Sequence, residues 1–126
     1  NLGMVVMDGA YLVGKVVEVN YLSSRVLLLS DLNSKIPVIV EPNTVFSILS
    51  GTGKDYGIIQ YSKKYEDIKN ESVIYTSGAG SLFKAGIPIG RMNINNLSDE
   101  KKVDFFSDFS QLKFVKVVSF KKSENK

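Results

Sequence analysis

The chain contains no cysteine, no histidine and no tryptophan, and only three prolines in 126 residues. The first absence removes disulfides, thiolate nucleophiles and sulfur-rich metal centres, and it suits both cytosol and periplasm. The second removes the commonest general base near neutral pH and the commonest zinc ligand. A serine hydrolase with a histidine-dependent triad is therefore excluded. Long apolar runs are also missing: the longest, around Val26–Ser30, is bounded by Arg25 and Asp31, far short of the ~18 residues that span a bilayer. Asn1-Leu2-Gly3 lacks the basic start of a signal peptide, and the chain reads as a piece of a longer protein.

What is present describes a globular domain. Hydrophobic residues make up 44% and charged residues 23%, enough apolar matter for one ordinary domain or two small ones sharing a core. The net charge is +3, and part of the excess sits at Lys121, Lys122 and Lys126 on a polar tail, 123–126 at its end, which reads as a solvated terminus.

Strands dominate the pattern. Tyr11–Val19 is valine-rich and carries Gly14 where a strand bends or another backbone comes close. A turn at 20–24 leads to Arg25–Ser30, whose leucines at both parities imply burial on both faces. A second turn cluster at 31–34 precedes Ile36–Glu41, where Pro37 marks the start or the edge of a strand. Further strands are expected at 44–51, 56–61, 72–76, 87–92, around Val103–Phe105, and at 114–120. Helix is scarce: one turn near Tyr65–Asn70, and a short helix capped by Ser107 or Asp108 with Phe109 and Leu112 facing the core. Residues 95–101 read as an exposed loop. Short strands with turns every eight to twelve residues are the pattern of an all-β sandwich or barrel.

Two glycine-rich stretches invite a ligand. Gly51-Thr52-Gly53-Lys54 lacks the spacing of a phosphate loop, is followed by Asp55, and sits between two strands. The second stretch, 76–92, carries Gly78, Gly80, Gly86 and Gly90. Phe83 occupies the third glycine position of a dinucleotide fingerprint, and Ile87-Pro88-Ile89 reads as strand where a phosphate cradle needs a helix. Gly14, Gly78, Gly80, Gly86 and Gly90 are therefore read as structural, with Leu82 and Phe83 plugging an interior. The carboxylate neighbours Glu66-Asp67 and Asp99-Glu100 diverge on any regular element and read as solvated surface. No cofactor and no metal is implied. Interleaving of aromatics with cations is weak outside Phe114-Lys116-Phe120, so nucleic acid is not the expected partner. A small basic barrel binding single-stranded nucleic acid is the alternative reading. Tyr56 and Tyr61, beside the 51–55 connection, are the candidate partner-binding residues.

Three segments carry a family likeness: 11–38, 73–92 and 108–118. Leu12-Val13-Gly14-Lys15-Val16, Ser23-Ser24-Arg25-Val26 and Thr76-Ser77-Gly78…Gly86-Ile87-Pro88-Ile89-Gly90, in this order, resemble the extracytoplasmic domain of the rod shape-determining protein MreC family. Lys84 stands where that family usually has proline, Ser81 where a third glycine is common, and Glu71-Ser72 where Gly-Asp is frequent, leaving Asn70 to supply a left-handed turn residue. The resemblance implies two small six-stranded-type β-barrels, distantly chymotrypsin-like and non-catalytic. The first would be built from 1–40 and closed by a return segment at 107–122, the second from 41–106. It also implies a scaffold of cell-wall elongation on the periplasmic face of the inner membrane, anchored by a helix outside this chain. Its partners would be a class B penicillin-binding transpeptidase, MreD, RodA and MreB, with self-association.

Overall fold

A computed structural model describes residues 4–60, 68–79, 84–94, 100–111 and 115–119. The described chain is all-β, with one 3₁₀ turn and no α-helix. Ten strands form two units: a closed barrel of six and an open sheet of four. They are β1 (Met4–Asp8), β2 (Tyr11–Val19), β3 (Ser24–Leu28), β4 (Lys35–Glu41), β5 (Val45–Gly51), β6 (Tyr56–Gln60), β7 (Val73–Thr76), β8 (Pro88–Ile94), β9 (Lys101–Phe105) and β10 (Lys116–Ser119). The sheet runs β10-β1-β2-β3, and the barrel closes in the order β4-β5-β6-β9-β8-β7. Every pairing among the described strands is antiparallel.

The barrel is thus an excursion inserted between β3 and β10. β10 returns to pair with β1, Val117 opposite Val6. The strand at 35–41, which the sequence reading assigns to the first lobe, instead pairs with β5 and β7 inside the barrel. The reason is the period of its side chains: Ile36, Val38 and Val40 all point into the barrel core and are at most 1% exposed. The chain therefore crosses between units in the 29–34 turn, where Asp31 N–H bonds Leu28 O at 3.0 Å and Ser34 N–H bonds Asp31 O at 2.9 Å.

Pro37 lies inside β4, not at its start. Its carbonyl faces β7 and accepts from Ser77 N–H at 3.3 Å. In a strand the N–H of a residue points the same way as its C=O, so the missing donor faces that side too. The bond that proline forgoes is thus the reciprocal one to Ser77 O, at the point where the β7 ladder ends with Thr76 opposite Val38.

The 25–30 stretch also differs from expectation. β3 is an edge strand, exposed at Ser24, Arg25 and Val26 and only half-buried at Leu27 and Leu28; Leu29, in the turn beyond, is the residue that is buried. An open edge gives one side of a strand no neighbour. β1 has no counterpart in the sequence reading, and β9 begins at Lys101, within the stretch read as loop. The expected features at Leu82, Phe83, Leu112 and the first half of 65–70 lie outside the described residues, and Ile68–Asn70 form no helix.

One core joins both units. Barrel side chains such as Leu49, Ile74, Ile89 and Val103 pack in the same cluster as Val5, Met7, Leu12 and Leu29. On the opposite face of the sheet a second, smaller cluster holds Val6, Val13 and Val16, with Met4, Leu28 and Phe109 against it. Register shifts at Val6/Met7, at Val16/Glu18 and at Ile74/Tyr75 mark bulges, the device that bends and twists strands in small barrels.

Candidate interaction surface

The glycine-rich segment spends its donors on the protein itself. Thr76 Oγ1 donates to Lys84 O at 2.5 Å and accepts from Ile87 N–H at 2.9 Å. Gly86 N–H bonds Thr76 O at 2.8 Å, and Ala79 N–H bonds Ser77 Oγ at 3.1 Å. Gly78 and Gly86 have φ of +79° and +88°, the left-handed region. Gly90 faces the Asp104 carbonyl of β9, and Gly14 faces the Leu27 carbonyl of β3, each so closely that an added Cβ would collide with backbone. Gly80 lies outside the described residues. The 51–55 turn is arranged likewise: Gly51 N–H bonds Ser34 O at 2.9 Å, Gly53 N–H bonds Ser30 O at 2.7 Å, and Lys54 N–H bonds Thr52 Oγ1 at 3.2 Å. A phosphate would find these amides already occupied.

A left-handed turn does form beside β7, but at Glu71 (φ +66°) and not at Asn70. Asn70 instead accepts Ile94 N–H through Oδ1 at 3.0 Å. Glu71 N–H is held by Met92 O at 3.0 Å, which imposes the conformation on a residue that does not favour it.

Chemistry-bearing groups are sparse. Among the described residues no group of three or more acidic side chains could hold a metal ion. A serine–lysine contact lies among the described residues: Lys35 Nζ donates to Ser50 Oγ at 3.2 Å and to Gln60 Oε1 at 3.5 Å. Ser50 Oγ donates onward to Gln60 Oε1 at 2.7 Å. The lysine is exposed and acts as donor, the reverse of what a base must do. Asp108 Oδ1 accepts from Ser110 Oγ at 2.6 Å and from Ser110 N–H at 3.0 Å. Those two bonds, the hydroxyl first, hold its carboxyl below the ordinary aspartate value. They open the 3₁₀ turn Phe109–Gln111, where Phe109 stacks on Phe105 with centroids 4.8 Å apart. An open cavity of about 730 Å³ lies against this turn, between Ser30, Lys54 and Asp55 on one side and Phe105, Ser107 and Asp108 on the other.

Aromatic faces are covered by cations. Lys102 Nζ lies 4.5 Å from the ring centroid of Tyr56, and Arg91 Cζ lies 5.4 Å from that of Phe106. A stacked base would need those same faces. Tyr56 is half-buried, at the start of β6, and Tyr61 lies outside the described residues.

The most open apolar area of the barrel is elsewhere, across β5, β4 and β7. Phe46, 65% exposed, pairs with Ile39, and Ile39 pairs with Tyr75. Beside this row Ile48 pairs with Pro37. Ile39, Pro37, Ile48 and Tyr75 are all half-buried and belong to the outward parity, alternating with the buried Ile36, Val38, Leu49 and Ile74. The signal was legible in IPVIVE at 36–41: apolar residues at both parities in a barrel strand mean an apolar outer face as well as an apolar core.

A closed small barrel with a sheet appended, its donors and glycines committed to its own backbone, defines a class of compact all-β protein with apolar exterior surface. Comparison places it further. The family model described as "Rod shape-determining protein MreC, barrel core" matches residues 1–119. The cell shape-determining protein MreC of Caulobacter vibrioides is 32% identical over 120 residues, covering 95% of this chain and 34% of that protein. The crystal structure of MreC from Pseudomonas aeruginosa has a TM-score of 0.68 at 35% identity, over 82% of this chain and 68% of that one. A complex between Penicillin-Binding Protein (PBP2) and MreC from Helicobacter pylori has a TM-score of 0.72 at 17% identity, over 94% of this chain and 79% of that one. The chain belongs to the MreC family of rod shape-determining proteins. It spans 34% and 38% of the two curated relatives that match most of its length.

Proposed function

We propose that this chain is a non-catalytic scaffold module that helps maintain rod cell shape by binding components of the cell-wall elongation machinery. The observation that carries the reading is the family match over residues 1–119. The Helicobacter pylori relative, solved together with a penicillin-binding protein, supports a class B penicillin-binding transpeptidase as the partner to test first. MreD, RodA and MreB are further proposed partners on the strength of the family likeness. The module works, in this reading, on the periplasmic face of the inner membrane. Among the described residues no helix is long and apolar enough to cross a membrane. By the family likeness, the tether is a helix outside this chain. A tether of that kind raises the local concentration of weak contacts.

The test is retention. Membrane proteins from the source bacterium are labelled with a fluorescent penicillin, solubilised and passed over the immobilised chain. A labelled transpeptidase held by the folded chain, and not by a heat-unfolded control, is the expected result. Labelled proteins that all pass through would overturn the reading.

A further inference from the structure

We propose that the open cavity beside the 3₁₀ turn receives an arginine side chain carried on an extended segment of a partner protein. The cavity holds about 730 Å³ and lies where the chain passes between its two units. Its walls come from Ser30 in the turn after β3, from Lys54 and Asp55 in the β5–β6 connection, and from 104–110, the end of β9 and the 3₁₀ turn. The site is separate from the outer face of β4, β5 and β7, and nothing in it rests on the transpeptidase reading.

Two independent observations mark it as a receptor for a cation. The first is charge. Three carboxylates, on Asp55, Asp104 and Asp108, stand against one ammonium, on Lys54, in a chain whose net charge is +3. A recess of inverted sign attracts a positively charged group. The second is a hydroxyl with nothing to bond. Ser107 is 6% exposed, its Oγ is buried without a partner, and the residue lines the cavity. Unpaired buried polar groups are rare in folded chains. At a cavity wall, such a group is an acceptor for a donor that the chain does not supply.

The carboxylates decide which cation fits. No group of three acidic side chains among the described residues could hold a metal ion, so the negative charges do not converge on a point. Asp108 Oδ1 is taken by Ser110, and Asp104 Oδ2 accepts from Asn93 Nδ2 at 2.8 Å. What remains is a set of single oxygens on separate walls. A guanidinium spreads five N–H donors over a rigid plane and meets separated acceptors at once, whereas an ammonium is a point charge. Its flat face also suits the phenylalanines of the wall. The chain makes the same contact close by, where Arg91 Cζ lies 5.4 Å from the centroid of Phe106. Neither Arg25 nor Arg91, the chain's own arginines, lines the cavity. The open mouth admits a side chain whose backbone stays outside, its methylene stem lying along the aromatic wall.

Titration of the folded chain with a blocked tripeptide carrying a central arginine, followed by amide NMR, tests this. The expected result is saturable shifts at the amides of Asp55, Ser107 and Asp108, with a dissociation constant on the order of a millimolar. The matching citrulline peptide, alike in shape and without charge, binds at least about tenfold more weakly, and the lysine peptide about fivefold more weakly. Asp55→Asn, at an exposed side chain, and Ser107→Ala each weaken arginine binding about threefold or more, while the rest of the spectrum stays that of the parent. No saturable shift at these amides, at peptide concentrations well above a millimolar, overturns the proposal. So does a citrulline or lysine peptide that binds as tightly as the arginine one, and so does binding that both variants leave unchanged.

Discussion

The closed barrel and the four-stranded sheet are made from the same kinds of residue but answer differently to disturbance. In the barrel each strand has two neighbours, and the ring has no free edge. A local expansion must be taken up by all six strands. In the sheet, β3 and β10 each have one neighbour among the described strands, and a strand can move outward without breaking a second ladder. Closure converts local packing into a global constraint; an open edge lets it relax.

Core truncation should break the comparison most sharply. Leu49→Ala, at a barrel position 1% exposed, is expected to cost about 4 kcal/mol. Val16→Ala, in the small cluster on the open face of the sheet, is expected to cost less than about 2 kcal/mol. Urea unfolding midpoints measure both, and equal losses would show that closure confers no extra rigidity.

Next come two of the glycines pressed against a neighbouring carbonyl, one in each unit. Gly90→Ala drives a methyl into Asp104 O within the ring, whereas Gly14→Ala drives one into Leu27 O on the edge strand β3. The first should cost about 3 kcal/mol; the second should cost about half as much, because β3 can shift. Thermal melts of the pair read the difference.

A smaller effect of opposite sign is expected at two buried hydroxyls without a partner, Ser47 Oγ and Ser107 Oγ. Ser47 points into the barrel, so Ser47→Ala should stabilise by about 1 kcal/mol. Ser107 lines the open cavity, where rearrangement admits solvent, and Ser107→Ala should be closer to neutral. Glu71→Gly releases the left-handed glutamate ahead of β7 and should stabilise by about 0.5 kcal/mol, the relief of strain exceeding the added freedom of the unfolded chain.

The smallest is a pH effect at the 3₁₀ turn between β9 and β10. Asp108 titrates below the ordinary aspartate value, chiefly through the Ser110 hydroxyl and then its N–H. A lowered folded pKa means stabilisation that is complete above the unfolded value, near 3.8, and is lost as pH falls through the folded one. A carboxyl-carbon titration by NMR should show the depressed midpoint, and Ser110→Ala should move it upward. An unchanged midpoint in that variant would assign the shift to another cause.

Much of this architecture was legible from periodicity. β2, β4, β5 and β6 fall within a residue of their expected limits, since alternation and turn residues act locally. What could not be read is which strands become neighbours. The leucines of 25–30 looked doubly buried because hydrophobicity does not record that β3 is an edge strand among the described residues. Pro37 read as the start or the edge of a strand, and which of the two applies depends on Ser77, distant in sequence, where the neighbouring ladder stops. The outward row of Phe46, Ile39 and Tyr75 required the same long-range knowledge: its members lie on three strands, and only the ring order makes them adjacent. Tyr56 stood out in the sequence as an aromatic beside a turn, but its face is under Lys102, contributed by β9.

The pairing of β10 with β1 has a consequence for how the molecule comes into being. These strands lie at opposite ends of the described chain, and everything that makes the ring is threaded between them. Bringing such distant segments together carries a large loop-closure penalty while the intervening chain is loose, and a far smaller one once it is folded into a ring. The ring is therefore expected to set first and the last strand to dock afterwards, an order that pulse-labelled hydrogen exchange would read as late protection of Val117 and Val118. Until then β1 offers a bare row of donors and acceptors, so a nascent or truncated chain passes through its most adhesive form just before completion.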